Sequence, residues 1–255
     1  MTTRKKMKFR TKLTLLFLFI AIIPLAILGY LNFNSTSEIM EKGAIDQLIS
    51  LREDRKAQLQ DFFKSLKLNI EMLSDHRLLK DILSEYIAAY DNGGFEGEKF
   101  KEIDKRYHKR CAWISEKYGY EDMLLVNNDG DVLITVKKRE DWGTNLINGI
   151  YSDTNLAECF KNSKKGTHIV DFKQYPPLGR PAAFIGAPMI RREERRGFKA
   201  EEKIGVLMVQ IPVDQINRIM MKNKGWGYRG NLFNRQRPVY AFGFEIFKGK
   251  LYSED

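Results

Sequence analysis

Asp122–Val136 reads DMLLVNNDGDVLITV, and its reading decides the fold. Asp122–Val126 is a short apolar run that reads as a strand. Asn127-Asn128-Asp129-Gly130 is a strong turn signal, because Asn, Asp and Gly tolerate the left-handed backbone that a tight hairpin needs. Val132–Val136 is then the returning strand. This hairpin is the first point in the chain where the apolar period is that of strands.

Upstream of it the pattern is helical. Apolar positions recur every three or four residues from about Ser35 to Ser74, through Ile39, Ile45, Leu48, Ile49, Leu59, Phe63, Leu66, Ile70 and Leu73. A helix of roughly forty residues spans about 60 Å. It is either a stalk that packs on a partner copy or a helix packed lengthwise on its own domain, and its two halves can differ. Asp75 and His76 interrupt the pattern. Further helices are predicted over Arg77–Tyr90 and Glu98–Lys117, separated by the loop Asp91-Asn92-Gly93-Gly94.

Downstream, Lys137–Asp153 is polar and contains glycine. Asn155–Lys161 reads as a short helix capped from Asp153 or Thr154. Strands are predicted over Thr167–Phe172, Ala182–Ile190 and Ile204–Ile211, and a helix over Val213–Lys222. The run RREERRGFKAEEK (191–203) alternates basic and acidic blocks and reads as a solvated hairpin loop rather than a binding patch. An antiparallel sheet with helices on one side makes an α+β domain.

Leu13–Leu31, LTLLFLFIAIIPLAILGYL, carries no charge. A helix of this length nearly crosses a hydrocarbon core of about 30 Å. Pro24 is tolerable there, since membrane helices accept proline. A cleaved signal peptide is the rival reading, but the apolar core is long for one and Ala26-Ile27-Leu28 is a poor cleavage site. Arg4, Lys5, Lys6, Lys8, Arg10 and Lys12 precede it with no acidic residue. Basic flanks stay in the cytoplasm, so residues 1–12 are expected there and the main domain outside, with one pass through the inner or plasma membrane.

Net charge is +10, and the tail holds six of those charges. The remainder is too diffuse to argue nucleic-acid binding. Cys111 and Cys159 make no disulfide framework, although a bridge between them is permitted on the exported side. His76, His108 and His168 have no metal-ligand spacing with each other or with either cysteine, so neither a metal nor a cofactor is expected. No P-loop, H-E-x-x-H or nucleophile–base motif is present, so no enzyme activity is expected.

The anchor, the long helix, the hairpin and the segments DWGTNL (141–146), YSDTNL (151–156), AAFIGAPM (182–189) and IGVLMVQIPVDQINRIM (204–220) together resemble a known family. It is the double Cache sensor domain of bacterial methyl-accepting chemotaxis proteins, also found on sensor histidine kinases and nucleotide cyclases. The resemblance covers roughly residues 1–227. It implies two stacked PAS-like modules behind a long helix, with a homodimer through that helix. Residues 33–120 would be the stalk and helices, and 121–221 the membrane-distal module, which binds a small ligand. The implied function is an extracytoplasmic small-ligand sensor of a chemoreceptor, with a truncated sensor kinase or cyclase as the alternative output. A membrane-tethered structural protein that binds nothing is the third reading.

In the family, loops over the sheet close on the ligand. Arg139, Asp141, Trp142, Asn145, Tyr151 and Asp153 precede the third strand, and Asp171, Tyr175 and Arg180 follow around it. Aromatic rings supply flat walls, Asp binds an ammonium, and Arg binds a carboxylate through two parallel hydrogen bonds. Such a set suits an amino acid or an organic acid. Tyr151-Ser152-Asp153 resembles the Tyr-x-Asp of amino-acid-sensing members. Arg139-Glu140-Asp141-Trp142 resembles their Arg-x-Trp-Tyr only loosely and lacks the tyrosine. The structural alternatives are core packing for Trp142, a helix cap for Asp153, a turn for Asp171 and a surface charge for Arg180.

Residues 228–255 match no part of the family pattern as they stand. With permitted codons, a frame change near Gly227 turns them into TGETYLIGKDRSMRSDSRF, which resembles the first strand pair of the family's proximal module. A frame slip that truncates the protein is therefore expected, and the nucleotide sequence tests it.

Overall fold

The computed structural model describes residues 9–192 and 201–221. The element order is helices α1 (Phe9–Asp75), α2 (Arg77–Asp91) and α3 (Glu98–Tyr118), strands β1 (Asp122–Asn127) and β2 (Val132–Thr135), then helix α4 (Asn155–Ser163). Strand β3 (His168–Tyr175), a 3-10 turn at Pro176–Leu178, strands β4 (Arg180–Arg191) and β5 (Glu202–Gln210), and helix α5 (Val213–Met221) follow. Residues 228–255 and most of the 191–203 charge run lie outside the described residues.

The chain divides into two compact units, Met1–Ala57 and Gln58–Asp255. In the first, Lys12–Tyr30 is the one described helix segment long and apolar enough to cross a membrane, with a mean hydropathy of 2.6 and none of it buried. Ile45, Leu48 and Ile49 are also exposed. The expected membrane segment and the helix from Ser35 are one element, with no break at Asn32–Asn34. Asn and Ser are only mildly unfavourable inside a helix, and neither proline nor glycine stands at that junction.

The second unit is a sheet with a core on each face. Its strand order is β2-β1-β5-β4-β3. Every pairing is antiparallel, with Leu124 opposite Met208 and Phe184 opposite Gln210. One face packs on the helices. There Met123, Leu125, Ile185, Leu207 and Val209 meet Leu79, Ile82 and Leu83 of α2 and Phe100 and Ile103 of α3. Leu59, Phe63, Leu66, Ile70 and Leu73 of α1 join the same core at steps of four and three, the spacing of one helix stripe. The second half of the long helix thus packs lengthwise on its own domain. The other face holds Leu124, Val126, Phe184, Val206 and Met208 against Leu156 and Phe160 of α4 and Leu146 of the loop before it. The expectation of helices on one side of the sheet is thus corrected, since α4 covers the second face, and burial on both faces is why these strands read as unbroken apolar runs.

The chain's own chemistry sets several boundaries. His76 caps α2, its Nδ1 accepting from the Leu78 N–H at 3.2 Å. Thr154, rather than Asp153, caps α4 through the Ala157 N–H. Gly119 ends α3 in the left-handed conformation, φ 70°.

The reading of the 191–203 run is corrected at its first residue. Arg191 does not belong to a solvated loop. β4 runs through it, it is 4 % exposed, and its guanidinium donates to the Lys80 carbonyl at 3.1 Å and the Ser84 hydroxyl at 2.6 Å. Asp81 on α2 is within 3.3 Å of the same guanidinium. A buried cation persists only where it is paired, and α2 supplies that pairing. As for the bridge that the exported side would permit, Cys111 lies in the helix-side core and Cys159 in the opposite one, both as free thiols. The sheet stands between them.

Candidate functional site

The site is built on the α4 face of the sheet. Strand alternation puts Asp122 on that face with Leu124 and Val126, and Gln210 with Met208 and Val206. Asp122 and Gln210 are direct cross-strand neighbours, buried to 1 % and 0 % exposure. Two polar residues side by side in an apolar sheet need partners.

The loop after β2 brings them. Arg139 donates to Asp122 Oδ2 at 3.2 Å and to Gln210 Oε1 at 2.9 Å. Its guanidinium also lies 3.9 Å from Glu121, which Arg180 pairs from β4. Two residues on, Asp141 is buried and accepts from the Tyr175 hydroxyl at 2.6 Å. Tyr175 closes the end of β3 and packs edge-on against Phe184 at 5.0 Å between ring centroids. Tyr151 stands 6.5 Å from the Tyr175 ring and donates to Glu140 at 3.1 Å.

The electrostatics follow from burial. Burial pushes the Asp122 carboxyl up to about 6, with Arg139 and two backbone N–H donors pulling the other way and Asp141 adding to the rise. Burial raises Asp141 as well, against the opposing Tyr175 hydrogen bond and the Arg139 charge. Tyr175 is raised by burial and then by the Asp141 charge. Three buried atoms here have no hydrogen-bond partner among the described residues: Asp141 Oδ1, Gln210 Nε2 and Asn155 Oδ1. Asn155 starts α4, and its Nδ2 donates to the carbonyls of Asp171 and Ala182 at 3.0 and 2.7 Å.

Of the residues singled out in the sequence, Arg139, Asp141 and Tyr175 come together here. Tyr151 and Arg180 stand beside them. Trp142 turns to the other face, packing 6.0 Å from the Phe95 ring, with its Nε1 donating to the Leu133 carbonyl at 3.2 Å. Asn145 latches the hairpin, bonding the Asp129 carbonyl and Asp131 Oδ1. Asp153 is exposed beside an open depression of about 240 Å³, which Thr154, Glu158, Lys161 and Asn162 also line. Asp171 is exposed and its side chain accepts from the Phe172 N–H.

Asp122, Gln210 and Asn155 were missed. A signal for the first two existed, since each is a lone polar residue at the end of an apolar strand, in DMLLV and VLMVQ. Their being neighbours was not visible, because β1 and β5 pair across more than eighty residues. Among the described residues no group of His, Cys, Asp and Glu could hold a metal ion.

The stretch 137–142 touches both faces. Lys138 adopts a left-handed backbone, φ 47°, an uncommon conformation for a residue other than glycine. Its Nζ pairs with Asp104 of α3 and lies 4.6 Å from the Trp142 ring centroid. One residue later, Arg139 enters the buried polar cluster.

No protein-family model and no curated protein matches the chain. Solved structures do. The sensor domain of the Vibrio cholerae histidine kinase DctB superposes with a TM-score of 0.51 at 14 % identity, over 72 % of this chain and 61 % of that one. The ligand-binding domain of the Campylobacter jejuni chemoreceptor Tlp3, in complex with 4-methylisoleucine, gives 0.47 at 14 % identity over 69 % of this chain and 61 % of that one. That of the Pseudomonas fluorescens chemoreceptor CtaA, with L-serine, gives 0.40 at 12 % identity over 69 % and 62 %. The chain thus spans about three fifths of the length of the structures it matches. A long helix ahead of an antiparallel sheet with a loop-covered second face is the fold of a Cache sensor domain, and this chain has it.

Proposed function

We propose that this chain is the small-ligand sensor portion of a membrane-anchored receptor, with the α4 face of the sheet as its binding site. The observation that carries the reading is the buried polar set on that face. Asp141 Oδ1, Gln210 Nε2 and Asn155 Oδ1 have no partner among the described residues. Buried polar atoms left unsatisfied cost about 1–3 kcal/mol each. A small polar ligand that bonds them recovers that cost, and an amino acid or an organic acid has the matching groups. The likeness in fold to sensor domains, some of them solved with amino acids bound, supports the same reading.

The basic flank of the apolar helix supports a cytoplasmic N-terminus with the sheet domain outside. The exposed Ile45, Leu48 and Ile49 support a second copy of the chain packed on the first unit of the helix. The output is that of a chemoreceptor, or of a sensor kinase or cyclase with the same input. No catalytic role is proposed for any residue here.

The test is a thermal-shift screen of the full chain in detergent against amino acids and organic acids. A ligand at a hundred times its dissociation constant stabilises by about 2.7 kcal/mol. The expected result is a hit that Asp141→Ala abolishes while the variant still melts cooperatively. Hits that survive Asp141→Ala unchanged would place binding elsewhere, and a screen without any hit would sink the small-ligand reading.

A further inference from the structure

The charges around the site do not balance. From β1 come Glu121 and Asp122, from the covering loop Arg139, Glu140, Asp141 and Tyr151, from β3 Tyr175, and from β4 Arg180. β5 contributes only the uncharged Gln210. Arg180 is matched by Glu121, and Glu140 is exposed and takes the Tyr151 hydroxyl. Among the described residues that leaves Arg139 as one guanidinium for two carboxylates, Asp122 and Asp141, each 1 % exposed. Tyr175 bonds one oxygen of Asp141, and the other has no partner among the described residues. With both acids ionised, the site buries one negative charge more than it neutralises, an expensive state at low effective dielectric.

We propose that this site binds a proton: Asp122 and Asp141 together take up one proton from solvent as a carboxyl O–H, which makes the domain acid-responsive. The inference rests on the reading of this face as the sensing site and names a second input to it. The proton needs no cavity, and it cancels the excess charge. Burial holds both carboxyls above the ordinary carboxylate range, with Asp122 at about 6, so uptake falls in mildly acidic conditions. The two acids titrate as a pair, not singly. The sign follows from linkage: the folded state binds the proton more tightly than the unfolded chain does. Stability from this site is full below the ordinary aspartate value and is lost as pH rises through about 6. The response has a route to the helices, because the stretch that carries Arg139 and Asp141 also carries Lys138, paired with Asp104 of α3, and Trp142, packed on Phe95.

The experiment compares denaturant melts of the full chain in detergent from pH 7.5 to 5, with no ligand added, for wild type, Asp122→Asn and Asp141→Asn. In each variant the remaining acid has Arg139 to itself as counter-charge, and titrations away from the site are common to the three. Relative to the variants, the wild-type folding constant should rise by a factor approaching ten per pH unit between about 6 and 5. Asp141→Asn keeps the Tyr175 hydrogen bond and the Arg139–Asp122 pair, so it reports even if Asp122→Asn fails to fold. Equal pH slopes in wild type and Asp141→Asn would overturn the proposal. So would stabilisation by methylammonium chloride at constant pH together with a flat pH profile, since the site would then take a small cation and not a proton. A pH slope without any hit in the ligand screen would keep the proton site and remove the small-ligand reading. A hit sensitive to Asp141→Ala with a flat slope would do the reverse.

Discussion

Tyr175 carries much of the site at the residue scale. It is fully buried, and its hydroxyl is the one side-chain donor to Asp141, an acid that burial already disfavours in its charged form. Tyr175→Phe leaves that carboxylate without the bond and should cost about 1–3 kcal/mol in a denaturant melt. The loss should be larger at pH 7 than at pH 5, because the phenol bond favours the ionised acid and protonation removes that advantage. The thiols are a separate case. Burial pushes Cys111 and Cys159 each up to about 12, and only a thiolate attacks an alkylating reagent. Iodoacetamide at pH 8 should therefore leave the folded chain unmodified and label both residues once the chain is unfolded, with mass spectrometry as the readout.

The elements meet most tightly at β5. A Cβ added at Gly205 would stand 2.2 Å from the Val126 carbonyl oxygen and 2.9 Å from Leu83 Cδ2. One neighbour is backbone of the adjoining strand and cannot turn aside, and the other is the α2 side chain that seals the helix-side core. Gly205→Ala should destabilise by about 1–3 kcal/mol, the cost of overpacking a filled core. Gly166→Ala, with nothing within 4 Å of the added atom, is the control and should melt like wild type. The same packing explains the Arg191 correction. The cross-strand register carries β4 out to Arg191 opposite Glu202, which brings the guanidinium under α2. A charged run in the sequence has no way to show that its first residue will meet a carbonyl and a hydroxyl from a helix more than a hundred positions earlier.

For the whole molecule, the long helix has two fates along its length. Residues Leu59–Leu73 contribute a stripe to the helix-side core, whereas Ile45, Leu48 and Ile49 of the first unit stay exposed. An apolar stripe left in water calls for a partner, and a second copy of the same helix supplies the same stripe. Leu48→Lys should weaken self-association in detergent by sedimentation, while the melt of the sheet domain stays within about 0.5 kcal/mol of wild type, as for a surface change. Unchanged association would mean that the dimer, if one forms, does not use this stripe.

The long apolar N-terminal helix, the hairpin, the order of helices and strands and the α+β class were legible in the residues themselves. Each rests on local properties: the length of an apolar run, the period of its repeats, a turn rich in Asn, Asp and Gly. So were three members of the buried polar cluster, since Arg139, Asp141 and Tyr175 stood out as chemistry-bearing residues in polar stretches. Tertiary structure alone decided that Trp142 turns away from them, that Asp122 and Gln210 lie at their feet, and that one arginine serves two buried acids. Those facts depend on which strands pair and on which face each side chain emerges. A shift of one residue in register would reverse every one of them, and no local pattern in the chain encodes a pairing between positions 122 and 210.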